Sequence, residues 1–208
     1  MQGILLIFEL IILVFSVIIH EVSHGYMALF LGDPTAKYQG RLTLNPLKHV
    51  DLFGSIILPV ISVLLGGIVL GWAKPVPYNP YNLRNPRSGE AFVALAGPLS
   101  NIFLAIFFGM LVRLQAFGLP VGSQFFVIAE LIVAINLGLA VFNLVPIPPL
   151  DGSRILFSLL PFQFRQYKEA FEHSSLVILL VFVLFFSQYL YPIMAFFFRL
   201  ITGMSLGA

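Results

Sequence analysis

A chemically reactive group of residues lies inside an apolar run near the start of the chain. His20, Glu21 and His24 form the pattern HExxH within "SVIIHEVSHGYMALF", residues 16–30. On a helix, positions i and i+4 share one face, so the two imidazoles can bind one metal ion. The glutamate beside them can accept a proton from water, as metal-assisted hydrolysis requires. The alternative is three polar groups paired in a bundle interior, but ionisable groups at membrane depth are costly and usually functional.

A hydrolytic zinc site usually has three protein ligands, and the chain contains no cysteine. Asp151 is the predicted third ligand, because it closes "NLVPIPPLDG" (143–152), where prolines break a helix and leave the chain extended. The alternative for Asp151 is a helix N-cap. Asp33 is predicted to be a turn residue. His49 is predicted to lie at the membrane interface, with a place near the mouth of the metal site as the alternative.

The composition is that of an integral membrane protein. Of the 208 residues, 59% are hydrophobic and 10% are charged, and the mean hydropathy is +0.99. Soluble domains carry about 25% charged residues. No stretch is long and polar enough for a separate soluble domain, so residues 1–208 are predicted to form one membrane domain. The net charge of +2 reflects basic residues beside the membrane. The lipid bilayer is therefore an expected partner and nucleic acid is not.

The apolar stretches predict the elements that position these residues. Four of them are long enough to span a bilayer as helices: 4–31, 90–117, 125–147 and 175–200. A shorter stretch, 55–72, contains Pro59 near its start and Gly66-Gly67 inside it, and predicts a re-entrant or short membrane segment. The alternation in "KYQGRLTLN", residues 37–45, predicts a short interfacial strand. The fold class is thus an all-α polytopic membrane protein, with a bundle of about four full spans.

The distribution of basic residues favours a re-entrant 55–72 segment. That arrangement places nine of the 11 Lys and Arg on one side of the membrane, whereas a full crossing divides them five to six. It also brings the end of the first helix and Asp151 to the same side, where Asp151 can meet His20 and His24. The site is therefore predicted towards the cytoplasmic side of the cell membrane. The nine residues are Lys37, Arg41, Lys48, Lys74, Arg84, Arg87, Arg154, Arg165 and Lys168.

Three motifs in this order resemble the site-2 protease family of intramembrane zinc metalloproteases. They are HExxH in a membrane helix, "AGPLSN" (96–101) in another, and "NLVPIPPLDG" at the close of a third. The stretch 71–101, "GWAKPVPYNPYNLRNPRSGEAFVALAGPLSN", is similar to the small prokaryotic members of peptidase family M50. The resemblance covers about residues 10–160, and the chain leaves no room for the PDZ or CBS domains of larger members.

The resemblance implies a set of roles for these residues. His20, His24 and Asp151 would bind one catalytic zinc ion, and Glu21 would be the general base. Asn143 would orient the substrate or stabilise the oxyanion, and Asn101 is a weaker candidate for a supporting role. The substrates would be single-pass membrane proteins cleaved within or near their transmembrane segments. The assembly state is left open between monomer and homodimer.

Two other functions are consistent with the same residues. One is a non-catalytic zinc-binding membrane scaffold. The other is a metal transporter, although transport usually needs polar groups along the whole path and the outer half offers mainly Glu9, Glu130 and Asn136. A prenyl-type endopeptidase also uses HExxH, but the "PPLDG" sequence argues against it. Metal flux would identify a transporter, and peptide-bond cleavage would identify a protease.

Overall fold

The computed structural model describes residues 2–51, 57, 74–115, 123–161, 164 and 171–206, and this part of the chain is helical. The prediction of an all-α membrane fold is confirmed at this level, since no β-strand occurs among the described residues. Among the described residues, 3₁₀ turns lie at Pro46–Lys48, Pro80–Asn82 and Ser187–Tyr189. The fully described helices are α1 (Gln2–Phe30), α2 (Thr35–Tyr38), α3 (Pro86–Arg113), α4 (Gln124–Asn143), α5 (Asp151–Leu159), α6 (Ser175–Phe185) and α7 (Leu190–Thr202).

Three of the described helices, α1, α3 and α4, are long and apolar enough to cross a membrane. The predicted fourth span, 175–200, is divided into two helices, α6 and α7, bent by 61° across a short 3₁₀ turn, and the pair together is long and apolar enough for one broken span. Pro192 lies in the first turn of α7, where its ring and missing N–H prevent one straight helix from continuing through this point. The predicted membrane segment 55–72 lies, except for Ile57, outside the described residues.

Three predicted helix boundaries move by four residues, one of them the end of α3, at Arg113 rather than at 117. Helix α3 begins at Pro86 rather than at 90, because the Asn85 side chain accepts a hydrogen bond from the Ser88 amide at 3.3 Å and Pro86 suits the first helical position. Helix α4 ends at Asn143 rather than at 147, just before the proline-rich segment. The loop before α3 is therefore shorter than predicted, and the segment from α4 to Asp151 is longer.

The predicted interfacial strand at 37–45 is wrong. Tyr38 ends the short helix α2, and residues 39–45 form turns and irregular backbone. Side-chain contacts, rather than a strand ladder, hold this segment. Arg41 donates to the carbonyl of Lys74 at 2.8 Å, and the His49 ring contacts the carbonyl of Thr43 at 2.8 Å. The residue types alternate because of this side-chain anchoring. The periodicity of a sequence cannot distinguish such anchoring from strand pairing.

Helix α3 is the centre of the bundle, since it packs against α1, α4, α5 and α7. One apolar cluster joins Ala28 of α1 to Leu83 and Val93, and a second joins α3, α4 and α7. By contrast, α6 has no buried residue and is apolar after its first residue, Ser175. A water-exposed helix of this composition would be unfavourable, so α6 is suited to contact with lipid.

The chain leaves α1 and approaches α3 on the same side of the bundle. The Arg84 amide donates to the Leu31 carbonyl at 2.9 Å, which links the end of α1 to the residues just before α3. Asp33 strengthens this link, because its carboxylate accepts hydrogen bonds from the Asn79 amide at 2.6 Å and the Asn82 side chain at 2.9 Å. The sequence predicted only a turn at Asp33, and the structure adds this tertiary connection.

Candidate metal centre

The three predicted ligands lie together in the bundle interior. His20 and His24 occupy successive turns of α1, and Asp151 is the first residue of α5. The Asp151 Oδ2 atom lies 3.0 Å from His20 Nε2 and 3.2 Å from His24 Nε2. One ligand atom from each residue lies within 4.8 Å of the others, and all three side chains are buried. Residues 131 positions apart in sequence thus present their donors to one point.

Each histidine is oriented by a partner on α3. His20 Nδ1 lies 2.6 Å from the side-chain oxygen of Asn101, and His24 Nδ1 lies 2.6 Å from the backbone carbonyl of Val93. Because both partners are oxygen acceptors at these positions, each Nδ1 carries its proton and each Nε2 is left to face Asp151. This is the arrangement in which a histidine binds a metal through Nε2.

The proline-rich segment between α4 and α5 positions Asp151. The Ile147 amide donates to the Val145 carbonyl at 2.8 Å, and the Leu150 amide donates to the Ile147 carbonyl at 2.9 Å. These tight turns bring the chain back towards α1. Leu150, not Asp151, is the N-cap residue of α5, so the alternative role of Asp151 as a cap is wrong.

The environment of Asp151 favours the carboxylate form. Burial raises the pKa of Asp151, but its polar contacts with the His20 and His24 rings outweigh this effect and hold the pKa below its ordinary value. Asp151 is therefore ionised at neutral pH. An ionised carboxylate is the form that a metal ligand requires.

Glu21 faces a loop that crosses the site. Its Oε2 atom accepts a hydrogen bond from the Val76 amide at 2.9 Å. Pro75 and Pro77 flank Val76 and have no N–H, so Val76 supplies the one amide proton of this triplet. Arg41 fixes the loop on one side by donating to the carbonyls of Lys74 and Pro75 at 2.8 and 3.2 Å. The loop therefore orients the Glu21 carboxylate, a contact that HExxH spacing alone does not reveal.

A cavity of about 310 Å³ lies beside these groups. Asn143, the last residue of α4, lines it, and one of its two amide hydrogens bonds the Leu139 carbonyl at 2.9 Å. Arg154 and Tyr78 line it too, with the guanidinium carbon 5.7 Å from the ring centre. The full lining is His20, Glu21, His24, Pro75, Val76, Pro77, Tyr78, Asn143, Pro149, Asp151 and Arg154.

His49 has a structural place outside this cavity. The residue is 2% exposed, and its backbone carbonyl accepts a hydrogen bond from the Lys74 amide at 2.9 Å. It therefore anchors the loop that carries Val76. The predicted position of His49 at the membrane interface stays a prediction, and its contact with the site is indirect, through this loop.

The donor set fits a zinc ion. Two imidazole nitrogens and one carboxylate oxygen are the ligand types of catalytic zinc sites, which leave a further position open for water or substrate. Gly97 of α3 leaves space beside them, because a Cβ atom there would overlap the Nε2 atoms of both histidines. The fold and the site together define a polytopic helical membrane protein with a zinc-type centre built from two histidines and an aspartate.

Comparison with known proteins gives the family of this chain. The sequence matches Peptidase family M50 over residues 8–130 and 119–186. The chain therefore belongs to peptidase family M50, and the resemblance found in its motifs is confirmed. The family match and the assembled donor set also confirm the predicted zinc cofactor.

Relatives of this chain are found in several bacteria. A Bacillus subtilis protein named "Putative zinc metalloprotease YwhC" is 42% identical over 182 residues, which cover 83% of this chain and 78% of that protein. Proteins named "Putative zinc metalloprotease Rip2" from Mycolicibacterium smegmatis and Mycobacterium tuberculosis are 36% and 31% identical over 137 residues. That alignment covers 66% of this chain but only 51% of each Rip2 protein. No solved structure matches the chain significantly.

Proposed function

We propose that this protein is an intramembrane zinc metalloendopeptidase that hydrolyses peptide bonds within or near the transmembrane segments of other membrane proteins. One observation carries the proposal: His20, His24 and Asp151 bring their donor atoms within 4.8 Å of one another on a helix apolar enough to cross a membrane. Family membership and the names of the relatives support a protease with a zinc cofactor.

The depth of the site supports the intramembrane assignment. His20 and His24 lie ten and six residues before the end of α1 at Phe30, which corresponds to about 15 and 9 Å along the helix axis. A peptide bond cleaved there would lie below the membrane surface. The cavity lined by Glu21, Asn143 and Arg154 offers a polar route for water to this depth.

The residues around the site have distinct roles in the proposed hydrolysis. When bound by His20, His24 and Asp151, zinc would polarise the scissile carbonyl and lower the pKa of a water molecule. Glu21 accepts the proton of the attacking water and then donates it to the leaving amine. The Val76 amide keeps one Glu21 oxygen in place, so the other oxygen is the proton acceptor. Asn143 holds a substrate carbonyl with its second amide hydrogen.

The location and partners follow from the same proposal. The chain would lie in the cell membrane of a prokaryote with the site towards the cytoplasm, as the distribution of basic residues favours. Single-pass membrane proteins would be its substrates. Such a substrate must unwind locally, because a helix keeps its carbonyls in internal hydrogen bonds. With the strand at 37–45 ruled out, Asn143 is the group we assign to holding the unwound segment.

The test uses the full chain in proteoliposomes with zinc and a set of single-pass peptides that carry a glycine–proline pair at different depths. Mass spectrometry in H₂¹⁸O identifies hydrolysis, because each new carboxyl terminus takes up one labelled oxygen. Glu21→Gln should abolish cleavage while zinc content stays near one ion per chain. Glu130→Gln is the matched control, since Glu130 lines a separate cavity with Arg113 and Thr202, and it should keep cleavage. Cleavage by Glu21→Gln would refute the role of Glu21, and zinc flux without cleavage would favour a transporter.

A further inference from the structure

A row of buried polar side chains extends from His20 away from the cavity and into the bundle. Asn101 of α3 and Asn136 of α4 are fully buried, and Ser16 of α1 is 4% exposed. Asn101 Oδ1 lies 2.6 Å from His20 Nδ1, and Asn101 Nδ2 donates to Asn136 Oδ1 at 2.8 Å. Asn136 Nδ2 in turn donates to Ser16 Oγ and to the Ile132 carbonyl, both at 2.9 Å. Three helices are thus connected through two amides to one metal ligand.

The orientation of the Asn136 amide is determined by the backbone. A carbonyl oxygen can only accept, so the Asn136 nitrogen must face Ile132 and its oxygen must face Asn101. Ser16 does not decide this orientation, because a hydroxyl can donate or accept. The Asn136 oxygen therefore accepts from Asn101, which turns the Asn101 oxygen towards His20.

The orientation of the Asn101 amide determines which ring nitrogen of His20 carries the proton. With the Asn101 oxygen facing it, His20 Nδ1 must carry the proton, and Nε2 keeps its lone pair for the metal. The Ser16 carbonyl contacts Asn101 Nδ2 in the same sense, but at 3.4 Å this hydrogen bond is weak. The 2.8 Å bond between Asn101 and Asn136 is the stronger of the two determinants.

We infer that Asn136 is a positioning residue for zinc binding: it fixes the orientation of Asn101 and thereby the metal-binding tautomer of His20. The sequence pattern places Asn136 only among the polar residues of the outer half of the bundle. The inference rests on the proposed zinc site, but it adds a residue on a helix that supplies no ligand. Without the Asn136 oxygen, Asn101 can rotate its NH₂ group towards His20 Nδ1, and two donors would then face each other.

The first experiment measures zinc affinity by chelator competition on the full chain in detergent, with a thermal melt for each variant. Asn136→Leu should weaken zinc binding about tenfold, in the range found for partners that orient metal-binding histidines. Ser16→Ala is the matched control: it removes another partner of the same amide without changing the amide direction, and zinc affinity should stay within about twofold. If Asn136→Leu does not fold, Asn136→Ala removes the same acceptor and carries the same expectation.

A rescue variant separates positioning from packing. Asn101→Asp places oxygens on both sides of this side chain, so it accepts from His20 Nδ1 in either orientation. In a chain that carries Asn136→Leu, which removes the oxygen that would oppose this carboxylate, Asn101→Asp should therefore return zinc affinity to within about twofold of wild type. No recovery in this double variant, or wild-type affinity in Asn136→Leu alone, would overturn the inference. A wild-type chain that binds no zinc would instead overturn the zinc site itself.

Discussion

Replacing Gly97 by alanine tests the position of the metal centre by steric exclusion. Gly97 lies on α3 directly beside the two histidines, and an added Cβ would overlap both Nε2 atoms. These are the atoms that face Asp151 at 3.0 and 3.2 Å. The methyl group would therefore occupy the space next to all three donors. For the methyl group to fit, the imidazole rings must turn away from Asp151.

The structure gives the direction and size of both effects. Turning the rings breaks the bonds of His20 to Asn101 and of His24 to Val93, at about 1 kcal/mol each. Alanine in a helix interior is more stabilising than glycine by about 0.5–1 kcal/mol. The net loss in stability is thus about 1 kcal/mol. Zinc affinity should fall at least about 100-fold, because two ligands lose both their position and their orienting partners.

Elemental analysis and chelator competition measure the zinc, and thermal denaturation in detergent measures the stability. Gly109→Ala is the matched control on the same helix: its Cβ would overlap Ile201 of α7, about 18 Å along the helix axis from Gly97. It should change stability while zinc binding remains as in the wild type. Unchanged zinc affinity in Gly97→Ala would refute this placement of the site, and equal zinc loss in both variants would mean that any strain in α3 disrupts it.

Three further predictions follow from single contacts. Asp151→Ala should retain the fold but lose most zinc, as measured by elemental analysis, and full zinc content would refute its role as third ligand. Burial raises the pKa of Asp33, but hydrogen bonds from Thr35, Asn82 and Asn79 lower it below the ordinary value, so the stability that Asp33 contributes is present above about pH 4 and is lost as the pH falls below it. Melting temperatures from about pH 7 to about pH 3 should show this loss in the wild type and a smaller one in Asp33→Asn; equal acid profiles would contradict the assignment. Arg87 donates to the carbonyls of Ser158, Leu159 and Leu160 at the end of α5, so Arg87→Ala should destabilise the chain by about 1 kcal/mol, and Arg87→Lys, which can still donate to this helix end, by less. Denaturation of the two variants side by side checks this order, and identical curves would show that the contact is unimportant.

Much of the site was predictable because its signals are local. HExxH places His20 and His24 on one helical face by the geometry of about 3.6 residues per turn. The prolines before Asp151 identify a helix end by removing backbone donors. The long apolar stretches predicted α1, α3 and α4, since a helix needs about 20 apolar residues to span a bilayer.

The failures arose where the relevant contacts are distant in sequence. Residues 37–45 alternate like a strand, but Arg41 and His49 hold them through the loop at 74–75, which a local pattern cannot represent. The last apolar stretch reads as one helix, yet it bends by 61°. Pro192 is the local signal of this break in the sequence. Whether the chain bends there depends on how α7 packs against α3 and α4.

By itself, the sequence determined the residues of the candidate site: two histidines on a helix apolar enough to cross a membrane, a glutamate beside them and an aspartate after a broken helix. The tertiary structure decided which groups contact these residues. Val76 meets Glu21 across 55 positions, and Asn136 reaches Asn101 across 35. The physical reason is that a helix fixes the face on which a side chain lies, whereas the partner it meets depends on how three helices pack.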